Sequence, residues 1–482
     1  MKIKLYLLLF ILSIMPSVMA QEYFSPHYYD KQLYKNYEVP VTDEPGNIIP
    51  LQWDKSAVAN YWVFGYLPYW EYPGGMSNLK YEYLTHIGAF DFAADSLGNL
   101  SNPSGWPWTN LINTAHQNGV KVILVVTNFT NKEIRRILSN ADAKQNLFSQ
   151  IKNKIEAYQL DGVNIDFEGL YTADRGTLLN TFMSELTAYI TANLPGKTTT
   201  FAAPPVNWSG WDFTGLANAC DYVFIMGYDF YGSFSSTSGP SAPYLGGSYN
   251  IYNTITQEWG NIANSNPKKL ILGVPYFGPE FKTATGEAGS QVTGFVRSVR
   301  FREALPNSAT YGLLFNTTWQ TTWYRYTQGT QWYQAWFDDP RSSEFKFTLA
   351  KSKNLKGVGM WALNYDGTLS DYWNKIRDIF FTGTSAGELP ENYELKMSSY
   401  PNPFNPSSVL EIISPSQASG KIAVYDIAGQ KVKDLGTTEL SQGKNHLDLD
   451  MSGMVSGVYF VRLEFEGAQQ SRNIIHKVVL SK

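Results

Sequence analysis

The chain has 482 residues, a net charge of −4, one cysteine and 15% aromatic residues. That length exceeds one ordinary domain and suits a large barrel plus an extra module. The slight negative charge, with no basic run, argues against nucleic acid and against an anionic membrane surface as partners.

In chain order, Lys2 and Lys4, the apolar stretch Leu5–Ile14 and the small residues before Gln21 read as a secretory signal over residues 1–20. That apolar run is too short to span a bilayer, and no later run is long enough, so no transmembrane segment is expected in the mature chain. Residues 21–60 carry little periodicity and read as an extended arm of no assigned function. Cys220 cannot pair within the chain, and no histidine accompanies it locally. It is expected as a small buried hydrophobe just before a strand.

Strand and helix patterns alternate from residue 61 to 381. Strands are expected at Val63–Pro68, Leu84–Phe92, Lys121–Thr127, Gly162–Glu168, Thr198–Ala203, Tyr222–Tyr228, Lys269–Pro275 and Gly357–Leu363. Helices are expected at Thr109–Gln117, Asn131–Leu138, Gln145–Tyr158, Arg175–Asn193, Ile251–Asn264, Ser342–Ser352 and Tyr372–Phe380. Thr130-Asn131-Lys132-Glu133 has capping-box form. Asp339-Pro340 reads as an N-cap followed by proline. Gly119 and Gly357 fall where left-handed helix caps are usual. The alternation predicts an α/β fold, a (β/α)8 TIM barrel with helices outside and active groups at the strand C-termini. Residues 276–339, rich in Trp and Tyr, are too long for a loop and read as an inserted α+β subdomain after strand 7. It is expected to form one wall of a cleft, with some of its aromatics lining the cleft and others forming its own core. A Gly/Thr/Ser-rich linker covers 382–395, and alternating runs over 396–482 predict a small all-β sandwich.

The most informative stretch is Asp161-Gly162-Val163-Asn164-Ile165-Asp166-Phe167-Glu168. One face of this strand is apolar; the other carries an amide and two carboxyls. Same-face neighbours lie roughly 6–7 Å apart, so Asp166 and Glu168 can act on one small group. The alternative, a solvated edge strand, loses force in a closed barrel. The five histidines show no spacing such as HExxH, so no metal is expected, and no glycine-rich loop indicates a phosphate cofactor.

The octapeptide resembles the catalytic DGxDxDxE strand of family 18 glycoside hydrolases, the chitinase family. Met226-Gly227-Tyr228-Asp229 resembles the family's MxYD segment, and Gly359-Met360-Trp361 its strand-eight tryptophan. The resemblance spans roughly residues 60–381 and implies substrate-assisted cleavage, in which the sugar's own 2-acetamido oxygen attacks the anomeric carbon. It implies Glu168 as acid and base. Asp166 would hydrogen-bond the acetamido N–H, Tyr228 the acetamido carbonyl, and Trp361 would floor the pocket. Asn164 departs from the pattern, where many members have Asp. Its NH2 is expected on the Asp166 carboxylate, with activity retained and the pH profile altered.

Each site residue has a packing alternative. Tyr228 and Asp229 could be a satisfied core pair, although their strand-end position favours a site role. Tyr66 and Tyr276 follow strands one and seven and either line the pocket or pack. Trp361 has a core alternative, and Asp161 is expected mainly to cap the strand entry.

The tail, through Tyr400-Pro401-Asn402-Pro403-Phe404-Asn405-Pro406, Val424-Tyr425-Asp426-Ile427-Ala428-Gly429 and Gly457-Val458-Tyr459-Phe460-Val461, resembles a C-terminal sorting domain of the bacterial type IX secretion system. The rival reading is a carbohydrate-binding module. The expected whole is a secreted or cell-surface bacterial enzyme, exported through the periplasm and monomeric, cutting β-1,4 bonds at N-acetylglucosamine in chitin or chitooligosaccharides. Its rivals are action on peptidoglycan or N-glycans, a catalytically silent chitin-binding lectin (made less attractive by the presence of Glu168), and a surface adhesin.

Overall fold

A computed structural model describes residues 24–40, 47–381, 395–414, 418–440, 443–467 and 471–481. The expected signal (1–20) lies outside the described residues, as does the expected linker apart from its last residue.

Eight parallel strands close a barrel: β1 (Trp62–Pro68), β2 (His86–Ala93), β3 (Lys121–Asn128), β4 (Gly162–Phe167), β5 (Thr198–Ala203), β6 (Tyr222–Ile225), β7 (Leu270–Pro275) and β8 (Gly357–Trp361). They neighbour in sequence order, with β8 closing on β1. The strands are buried almost throughout because helices cover their outer faces. On β4, Phe167 meets Phe182 of the helix Thr177–Asn193 at 6.0 Å between ring centroids. The barrel interior is filled by aromatics, with Phe224 5.6 Å from Phe64 and 4.9 Å from Tyr66. Gly65 and Gly273 make room for this packing: a Cβ there would lie 2.5 Å from Leu363 and 2.4 Å from Phe224.

Several local expectations change in the structure. Thr130 provides no side-chain cap. Asn128 serves that end instead, accepting from the Thr130 N–H and donating to Glu133. Asp339 caps as expected, accepting from the Ser342 N–H at 2.8 Å. Gly119 is left-handed at φ +70°. Gly357 is not; it lies inside β8, where a Cβ would strike the Trp62 carbonyl at 2.0 Å. The helix expected at Ile251–Asn264 is broken by a π turn over Thr254–Glu258, which lets Trp259 stack on Phe213 at 4.0 Å. Cys220 is buried just before β6, and burial pushes its thiol pKa up.

The insertion is a five-stranded antiparallel sheet with one helix, Phe301–Tyr311. Its aromatics largely pack on one another. Trp323 and Trp336 stack at 4.7 Å, and Tyr326 stacks on Tyr333 at 4.9 Å. The C-terminal region folds as a three-stranded and a four-stranded sheet. Its edge strand Lys431–Leu440 carries several charges and pairs with its neighbour in an interrupted register. Among the described residues, no helix is long and apolar enough to cross a membrane.

Candidate active site

The polar face of β4 points into the barrel. Asn164, Asp166 and Glu168 are all buried. The Tyr66 hydroxyl donates to Asn164 Oδ1 at 3.0 Å, and Asn164 Nδ2 donates to Thr200 Oγ1 at 2.8 Å. The amide is thus committed to β1 and β5, and the expected bond to Asp166 does not form. Asp166 Oδ1 is buried with no hydrogen bond.

Tyr228 comes from a tight turn beyond β6, fixed by two i→i+2 backbone bonds of 2.8 Å from Gly227 and Tyr228. Gly227 fits there because it sits against the Gly273 carbonyl, 2.4 Å from where a Cβ would be. Asp229 follows at φ +64°, with its N–H on Ser241 Oγ and Oδ2 buried without a hydrogen bond.

The N-terminal arm enters this pocket. The helix Pro26–Tyr34 is capped by Ser25, whose Oγ accepts from the His27 N–H. That hydroxyl and the Ser25 N–H donate to the two oxygens of Glu168, each at 2.5 Å. His27 Nδ1 lies 2.8 Å from Asp166 Oδ2, and Nε2 lies 2.7 Å from the Tyr228 hydroxyl. Its ring lies 3.9 Å from Trp361 at 32°. Asp30 accepts from Trp361 Nε1 at 2.9 Å and from the Tyr365 hydroxyl at 2.8 Å. Lys31 reaches Asp91, which also accepts from Thr127.

Burial controls the charges. Burial and then the Asp166 charge push Glu168 up to about 8. Burial, reinforced by Asp91, holds Asp166 well above the carboxylate range. Burial outweighs the neighbouring carboxylates at His27 and pushes it down to about 4, so the imidazole is neutral. Asp229 is also held well above its usual value, first by burial and then by Glu168 and Asp30.

A model described as glycosyl hydrolases family 18 matches residues 63–366. The chain belongs to that family. It is therefore a glycoside hydrolase, and its partner is a glycan. A second model, the secretion system C-terminal sorting domain, matches residues 398–477 and points to secretion or the surface of a bacterial cell. The cortical fragment-lytic enzyme of Bacillus subtilis is 26% identical over 62% of this chain and 70% of its own length. Human di-N-acetylchitobiase is 27% identical over 52% and 70%. The chain spans about two thirds of the length of the curated relatives it matches, from 65% to 72%. The structure of a family 18 chitinase from Cycas revoluta, in complex with (GlcNAc)3, shares the fold at TM-score 0.58 and 21% identity, covering 66% of this chain and 99% of that one.

Of the expected family 18 site residues, Glu168, Asp166, Tyr228, Trp361 and Tyr66 surround His27, Asn164 is bonded to Tyr66, and Asp229 is close enough to Glu168 and Asp30 to feel their charge. Tyr276 is not among them. It stacks on Tyr372 at 4.1 Å and 9°, so it is a packing residue. Asp161 lies at the opposite end of β4, held by His116, Lys197 and the Val122 N–H. His27, Asp166 and Glu168 bring donor atoms within 4.8 Å of one another, the only cluster among the described residues that could hold a metal ion. Hydrogen bonds already engage all three.

The sequence reading missed Asp91 and the arm. The signal for the arm was present: His27, Asp30, Lys31 and Tyr34 lie at i, i+3, i+4 and i+7, one face of a helix. That stripe is polar, and a search for apolar periodicity passes over it.

Proposed function

We propose that the chain is a secreted retaining glycoside hydrolase. It cleaves β-1,4 bonds next to N-acetylglucosamine, in chitin or chitooligosaccharides, by substrate-assisted catalysis. The observation that carries this reading is the convergence of Asp166, Tyr228, Glu168 and Trp361 on a space the size of one imidazole, filled by His27. An acetamido group fits the same partners. Its N–H would donate to Asp166, and its carbonyl would accept from Tyr228. That holds the carbonyl oxygen beneath the anomeric carbon as the leaving group departs. Glu168, kept protonated by burial, gives its proton to the glycosidic oxygen and then takes one from water. Asp166 balances the positive charge of the cyclised intermediate. Trp361 supports the apolar sugar face. Trp208 and Trp211 border a small pocket that Glu168 also lines. The reading includes a signal over 1–20, a barrel domain over 61–381, a sorting domain over 396–482 and passage through the periplasm.

A second reading, cleavage of peptidoglycan, draws on the likeness to the cortical fragment-lytic enzyme. The test is incubation of the full chain, and of the chain carrying His27→Ala, with chitopentaose, peptidoglycan and a high-mannose glycopeptide. Cleavage of chitopentaose with a β-anomer as first product is expected. Peptidoglycan cleavage alone would select the second reading. An α-anomer would eliminate substrate assistance.

A further inference from the structure

The arm helix inverts the usual rule for a surface helix. It buries His27 and Asp30, while Leu33 is 73% exposed. Helices that dock on a barrel wall bury an apolar stripe and leave polar groups in water. Here the polar stripe faces inward, and each of its members meets the groove. His27 meets Asp166 and Tyr228; Asp30 meets Trp361 and Tyr365; Lys31 meets Asp91. Tyr34 stacks on Trp70 at 4.9 Å and 13°. Beyond the helix the arm stays on the barrel, with the Val39 N–H on Ser104 and the Ile49 N–H on Asn113.

The match to a sugar is chemical as well as steric. With the Tyr228 hydroxyl donating to Nε2, as it would to an acetamide carbonyl, the neutral imidazole carries its proton on Nδ1 and presents it to Asp166. A neutral imidazole thus presents the donor and acceptor of an acetamide to the two groups that would hold one. Its ring lies against Trp361 as a sugar ring would. Ser25 Oγ sits 2.5 Å from a Glu168 oxygen, within reach of the proton that Glu168 would give to a glycosidic oxygen.

We propose that Ser25–Tyr34 is an intramolecular mimic of the substrate, which keeps the enzyme latent until a glycan displaces it. This rests on the reading of the site as one that binds N-acetylglucosamine. A tethered segment competes at an effective concentration that is in the mM range for short flexible tethers. Substrate therefore meets only the fraction of molecules whose arm is open, and its apparent affinity falls by that fraction. Such competition raises KM and leaves kcat nearly unchanged.

The test uses the full chain and the variants His27→Ala and Asp30→Ala, with two measurements. The first is turnover of a fluorogenic chitobioside. Both variants should lower KM at least tenfold, with kcat within about twofold of the parent, as expected when the open fraction rises from about a tenth or less to nearly all molecules. The second is tryptic cleavage after Lys31 and Lys35, which reports arm release without any catalysis. Cleavage should accelerate in both variants, and in the parent on addition of N-acetylglucosamine thiazoline. Unchanged KM and unchanged cleavage in both variants would overturn the proposal. So would a large fall in kcat for His27→Ala with the arm still protected, because His27 would then serve catalysis. Accelerated arm cleavage in the variants without turnover of any glycan would leave the arm as a plug and refute the hydrolase reading instead.

Discussion

Asn164 donates its amide to Thr200 Oγ1 at 2.8 Å, and this bond turns it away from Asp166. Asp166 therefore titrates without a proton-sharing neighbour on its own strand. Asn164→Asp would supply one, since two adjacent buried carboxyls hold a proton between them. The variant is expected to keep its activity near pH 5 and to lose it relative to the parent as pH rises to 8, where a second buried charge must form. Superimposable pH–rate profiles would show that position 164 does not tune Asp166.

In the proposed mechanism Glu168 sets the alkaline limit. Burial and Asp166 raise Glu168 to about 8, and the protonated form is the one that donates. Activity should hold through neutral pH and decline as pH rises through that value. A decline centred near pH 4.5, the ordinary range of a glutamate, would contradict the assignment. Glu168→Gln should remove turnover by roughly 10²–10⁴-fold while binding persists, the usual contribution of a general acid.

Tyr228 tests the acetamide geometry. Tyr228→Phe removes the hydroxyl that would hold the acetamido carbonyl and leaves the ring. A hydrogen bond to a group developing charge is worth about 1.5–3 kcal/mol, so kcat should fall on the order of 10–150-fold. If kcat is unchanged and only KM rises, Tyr228 binds the substrate without assisting the attack.

Asp161 concerns stability, at the far end of the barrel. Burial opposes its ionisation, but the His116 bond, Lys197 and the Val122 N–H outweigh it and hold the carboxyl below its usual value. Its contribution is complete above the unfolded-state pKa, about 3.9, and is lost as pH falls through the lower folded value. Asp161→Asn should destabilise the chain by about 1–3 kcal/mol at pH 7, with the difference narrowing in acid. Denaturant titrations at pH 7 and pH 3 would show this. Equal stability at pH 7 would mean that the cluster carries no net energy.

The barrel and its two buried carboxyls, Asp166 and Glu168, were legible because both are written at short range. Alternation along residues 161–168 places apolar and polar groups on opposite faces of any strand, and eight such strands with helices between them have few ways to close. Local chemistry also placed Tyr228 and Trp361 at strand ends. What local chemistry could not supply was partnership across the barrel. Asn164 bonds Thr200, 36 residues away, rather than its strand neighbour. Tyr276 turns to Tyr372, while Tyr66 turns inward. Above all, His27 meets Asp166 across 139 residues of chain. The arm has no apolar stripe to announce it, because what buries it is a set of hydrogen bonds to groups that only the closed barrel brings together. Sequence fixes which groups exist and which face of an element they occupy. Which of them meet depends on long-range packing, and here that packing seated the chain's own helix Pro26–Tyr34 against Asp166, Glu168 and Tyr228.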